Sequence, residues 1–93
     1  MTAETDQLIA EAELGEQARL FLDSELGKVM VGLADQEVLL AQELLGEVDP
    51  TNTKEITKLQ NDIKVGRWFT KWLNELVAAG DQAISVFNQQ KDE

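Results

Sequence analysis

The chain has 93 residues, 43% of them hydrophobic, and carries a formal charge of −10 with a sequence pI of about 4.3. One small domain with little core to spare fits that length, and the charge repels free nucleic acid and anionic membrane over most of the surface. It has no cysteine and no histidine, which removes disulfides, thiolate metal sites, the commonest metal ligand and the usual general base.

The start, MTAETDQLIAEAE, is acidic and lacks a basic n-region, so no signal peptide is expected. No apolar run approaches the roughly 18 residues of a membrane span, and a cytoplasmic protein is the default. Residues from about 5 to 22 are rich in Ala, Glu, Gln and Leu and contain no proline, which predicts a first helix. Thr5 is the expected N-cap. Leu8, Ala12, Leu14, Ala18, Phe21 and Leu22 form a loose apolar stripe, weakened by Gly15.

Asp23-Ser24 punctuates the chain, and Ser24 can cap a second helix with Glu25 in its first turn. That helix is expected over about 25–46. At 100° per residue, Leu26, Val29, Met30, Leu33, Val38, Leu40, Ala41, Leu44, Leu45 and Val48 span an apolar arc of roughly 200°. One partner helix cannot cover so wide an arc. Gly46 is the expected C-terminal stop, and Pro50 cannot continue the helix.

Asn52 is a good N-cap for a third helix, and Glu55 stands at capping-box spacing. Ile56, Leu59, Ile63, Val65, Phe69, Leu73, Leu76 and Val77 keep the helical period. The stripe resumes at Ala83, Ile84 and Phe87, so the helix is expected to pass Gly80 and end near Asn88, with 89–93 a frayed tail. The short connection makes the second and third helices antiparallel neighbours, with partners whose numbers sum to about 100. That register sets Leu44 near Ile56, Leu40 near Leu59, Glu37 near Ile63, Leu33 near Gly66 and Leu26 near Leu73. A helix over 53–88 would be about 54 Å long, so the first helix or another chain must cover what the second leaves bare.

Charge is uneven along the chain. Residues 1–49 hold 12 acids and two bases, and residues 50–93 hold six of each. The first half is thus an acidic partner for the second, or for another basic surface. Glu37 and Asp62 fall on facing apolar stripes, which could suggest a metal site or an acid/base pair. Without a histidine the plainer reading is stronger: Glu37 pairs with Lys64 or Arg67, and Asp62 sits at an edge. Lys64, Arg67 and Lys71 line one side of the third helix beside Trp68, a pattern able to touch phosphates. Three bases on so acidic a chain make neutralisation by nearby glutamates the stronger reading.

Trp68 and Trp72 are one turn apart and face the polar side. They either contact the first helix or form a protein-binding hot spot, and Val31 and Leu39 on the outer side of the second helix join them as candidate interaction residues. No nucleophile can be paired with a base, and no glycine-rich phosphate loop is present, so an enzyme is not expected.

Leu26-Gly27, Ala34-Asp35-Gln36-Glu37, Val48-Asp49-Pro50, Lys58-Leu59-Gln60-Asn61-Asp62-Ile63 and Trp72-Leu73-Asn74-Glu75 with Ala79-Gly80 together resemble a group of small helical-hairpin proteins of tailed bacteriophages and prophages. The resemblance spans about residues 21–83 and rests on turn and packing motifs. It implies a phage gene product, from a head-assembly or DNA-packaging setting, and carries over no functional residue.

The expectation is an all-α fold in one domain over 1–93: an antiparallel hairpin of helices 25–46 and 53–88 with an additional N-terminal helix over 5–22. The expected function is a non-enzymatic interaction protein, homo-oligomeric, acting in phage assembly or regulation with itself or with a phage or host protein. A DNA-packaging component and an acidic decoy for a host protein are the alternatives. No metal and no cofactor is expected.

Overall fold

The computed structural model describes residues 2–91, and all of its regular structure is helical. Helix α1 is Ala3–Asp23, α2 is Glu25–Glu47 and α3 is Thr53–Lys91. The all-α expectation holds, and α3 passes through Gly80 unbroken. It runs three residues beyond the predicted end; residues 92–93 of the expected frayed tail lie outside the described residues.

The cap of α1 lies one turn earlier than expected. Thr2 is extended, and its hydroxyl accepts from the Thr5 N–H at 3.1 Å. Thr5 is therefore the third helical residue, and its own hydroxyl meets that of Thr2 at 2.9 Å. Glu4 and Asp6 in the first turn suit the positive end of the helix dipole. Ser24 breaks the chain as predicted. It is extended, its N–H donates to the carbonyls of Leu20 and Phe21, and its hydroxyl donates back to Phe21 at 2.5 Å.

Gly46 is not the stop for α2. The helix runs through it to Glu47, and no described glycine has a positive φ. The chain turns at Asp49-Pro50, where proline has no N–H to continue the ladder. The Asp49 carboxylate accepts from the Thr51 N–H at 2.8 Å and the Thr51 hydroxyl at 2.7 Å. Asn52 caps α3, its side-chain oxygen accepting from the Glu55 N–H at 3.2 Å. The backbone N–H of Asn52 donates to the Asp49 carbonyl at 2.9 Å.

Contacts gather into two compact units, Met1–Ser24 with Trp72–Glu93, and Glu25–Lys71. In the second unit, α2 runs antiparallel to the first half of α3, and the predicted register holds where residues 33–41 face 59–66. Gly66 lies against Ala34 and Val38, while Ala41 and Leu59 are buried. The inward face differs from the expected one. Gly27, Ala34 and Ala41 recur every seven residues on the side that meets α3, and Leu26, Leu33, Leu40 and Leu44 are exposed. Small residues let two backbones come close, so the helices meet along the glycine–alanine line in preference to the leucine line.

The first unit uses the same chemistry. Gly15 and Ala18 of α1 meet Gly80 and Ala83 of α3, and all four are buried. A β-carbon built on Gly15 would fall 2.7 Å from the Gly80 α-carbon and 2.8 Å from the Leu76 carbonyl oxygen. The glycine that weakens α1 as a sequence is thus the point where the two backbones touch. Arg19 reaches across to Asp81 at 2.6 Å, and lies 3.6 Å from Glu16 on its own helix. In this unit α1 packs against the second half of α3.

Candidate functional site

Because the inner faces are built from glycine and alanine, the large side chains are left outside. Among the described residues the buried apolar side chains are Ala18, Ala41, Leu59 and Ala83, whereas fifteen large hydrophobics are exposed. Their arrangement on α2 is regular. Leu26, Met30, Leu33, Leu40 and Leu44 are 40–64% exposed and follow one another at alternating steps of four and three, with Glu37 filling the remaining position. This is the heptad spacing of a helix seam.

The seam borders a groove in the Glu25–Lys71 unit. Met30, Leu33, Ala34 and Glu37 of α2 form one wall, and Asp62, Val65, Gly66 and Phe69 of α3 form the other. Gly66 sets its floor, since a β-carbon there would lie 2.6 Å from Val38. Glu37 and Asp62 do come together, as their shared stripe predicted, and Lys58 joins them where the groove continues toward Leu40 and Leu44. Lys58 lies 3.8 Å from Asp62, one turn away on α3.

The expected pairing of Glu37 with Lys64 or Arg67 is absent. Glu37 is exposed, and those two bases stand roughly 140–200° around α3 from Asp62, on the side turned away from the groove. Lys64, Arg67 and Lys71 are all exposed on that outer side. Among the described residues no three acidic side chains gather where they could hold a metal ion.

The candidate interaction residues do not share one patch. Trp68 and Trp72 are 44% and 57% exposed on successive turns of α3. Leu39 is exposed on α2, about 130° around the helix from the seam. Val31 is half-buried, not on the outer side of α2 as expected; it stands four residues from Gly27, close to the line that meets α3. Sequence reading missed the seam as a separate surface because it counted the seam and the inner line as one wide arc. The signal was available: small residues at 27, 34 and 41 repeat at seven, alongside large residues that repeat at seven.

A second groove lies within the Met1–Ser24 and Trp72–Glu93 unit. Leu8, Ile9, Ala12, Glu13 and Glu16 of α1 face Ala83, Ile84 and Phe87 of α3 across it.

The chain matches no known protein family, no curated protein and no solved structure. Among the described residues no helix is long and apolar enough to cross a membrane.

Proposed function

We infer that this chain is a non-enzymatic interaction protein that works by self-association, burying the α2 seam and the adjoining groove of the Glu25–Lys71 unit. The observation that carries this reading is the imbalance between four small or isolated buried apolar residues and fifteen exposed large ones. Where exposed apolar side chains follow one another along a helix, as on the α2 seam, they mark a protein contact. Trp68 and Trp72, exposed on successive turns of α3, are a separate candidate contact outside this groove. The non-enzymatic part rests on composition, since the chain has neither histidine nor cysteine. The setting, a tailed-phage gene product acting in assembly or regulation in the host cytoplasm, rests on the resemblance of residues 21–83.

Light scattering coupled to size exclusion tests the reading. A mass of two or more chains, unchanged between about 0.05 M and about 1 M salt, is expected if apolar faces build the assembly, because salt at the upper value screens charge beyond roughly 3 Å. A monomer at both overturns it.

One observation favours the acidic-decoy reading as a second. The unit Met1–Ser24 with Trp72–Glu93 has ten acids and two bases in sequence, a net −8, whereas Glu25–Lys71 has eight acids and six bases. That reading predicts capture of a basic protein that free DNA displaces. The DNA-packaging alternative, with Lys64, Arg67 and Lys71 on phosphates, predicts DNA binding that falls steeply with salt.

A further inference from the structure

We propose that two copies of this chain pair through α2 in antiparallel orientation about a two-fold axis near position 35, and that Glu37 selects this orientation over the parallel one. The inference rests on the self-association reading and goes on to say how the copies are arranged.

The seam reads Leu26, Met30, Leu33, Glu37, Leu40, Leu44. Turned end for end on itself, it sets Leu26 against Leu44, Met30 against Leu40, and Leu33 against Glu37. Apolar residues then meet apolar residues at both ends, and each Glu37 faces a leucine. A closed two-fold dimer needs a surface that is complementary to itself, and this stripe has that property. In the parallel arrangement each residue meets its own copy, so Glu37 would face Glu37. Two like carboxylates in an apolar seam repel each other where water cannot screen them, and a single polar residue at a seam position is a known means of fixing register and orientation.

The surroundings of Glu37 fit the antiparallel arrangement. The charged groups near it are Asp62 and Lys58, both from α3, with Lys58 3.8 Å from Asp62. Each Lys58 is already engaged by the Asp62 of its own chain, so two glutamates brought face to face would have no spare cation between them. In the antiparallel pair each Glu37 keeps its own Asp62 and Lys58 and adds only a leucine. The area is also of the right size. The exposed surface of the five apolar seam residues and Val65 is on the order of 600 Å², close to the roughly 800 Å² per partner of a standard interface.

The chain has no cysteine, so disulfide trapping reads the orientation cleanly. Met30→Cys and Leu40→Cys are made as separate full-length chains and oxidised alone and mixed. The expected result is a disulfide between the two variants on mixing, with little cross-linking of either alone. Disulfides in each variant alone mean a parallel pair and overturn the orientation while leaving self-association standing. A dimeric mass with no cross-link in any arm places the contact elsewhere and overturns this inference. A monomeric mass for the unmodified chain overturns self-association itself. Glu37→Leu provides the second arm. It should tighten association by roughly tenfold and allow Met30→Cys to cross-link with itself; tighter association without that cross-link would mean that Glu37 does not select orientation.

Discussion

The same residue type has opposite effects at different positions of these helices. Gly15 and Gly80 sit backbone against backbone, and a β-carbon at either meets main-chain atoms under 3.0 Å away that have no rotamer to change. Gly46 is exposed in α2, with nothing within 4 Å of where a β-carbon would be. Gly46→Ala should therefore stabilise by about 0.5–1 kcal/mol, the ordinary helical preference for alanine. Gly15→Ala gains the same preference but must separate two helices, a strain of about 1–3 kcal/mol, and should destabilise on balance. Urea midpoints of the two variants against the parent check the pair of signs. Two shifts in the same direction would mean that the glycine crossing is not tight.

Asp49 provides a pH test at the same scale. The Thr51 N–H, and after it the Thr51 hydroxyl, hold the Asp49 carboxyl below its ordinary value of 3.8, with a small opposing effect of desolvation. A carboxyl lowered on folding stabilises above its unfolded value and loses that contribution as pH falls through the folded one. The acid loss from this turn is thus expected below pH 3.8, and Asp49→Asn should flatten that part of the stability–pH curve while leaving the rest of it in place.

Most of the element pattern was legible in the sequence. Ser24, Pro50 and Asn52 mark boundaries through local chemistry that needs no tertiary context, and the antiparallel register follows from a short turn. The inward face was not legible in the same way. Hydrophobicity ranks leucine above alanine and glycine, so a reading by apolar arc places Leu33 and Leu40 inside. Close approach ranks them the other way, and Gly27, Ala34 and Ala41 win because the opposing helix offers Gly66. Glu37 and Asp62 could be placed together from their phase, but their cation could not, because Lys58 lies one turn along α3 from Asp62, a pairing that facing stripes do not reveal. The consequence at this scale is a helix with a structural side and a spare apolar side. Replacing Leu33 and Leu40 by lysine should abolish self-association while leaving helical circular dichroism in place, since both side chains are already exposed. Loss of the helical signal would mean that the seam is part of the fold.

For the whole molecule, folding redistributes the charge. Halves of the sequence differ as −10 and zero, yet α1 packs against a segment of α3 where Lys91 is the sole base. Within that unit the acids of α1 therefore have few bases to meet. Arg19, the single base of α1, is spent across that packing on Asp81. Salt should accordingly raise the melting temperature of the chain, by screening repulsion within the acidic unit, while the mass stays constant. Thermal melts at low and high salt check this, and a fall in melting temperature would mean that attraction dominates.

The pairing of Gly15 with Gly80 also bears on the order in which the chain can fold as it is made. The Glu25–Lys71 unit is contiguous, and its hairpin closes through a short turn, so its loop-closure entropy is small. The other unit joins α1 to the second half of α3. As α1 leaves the ribosome its partner has not yet been translated, and it must wait until α2 and most of α3 have been made. A helix that waits is better acidic and sparsely apolar than sticky, and α1 has that composition. Its contact across a sequence separation this long is the slow step expected of the molecule, with the local hairpin formed ahead of it.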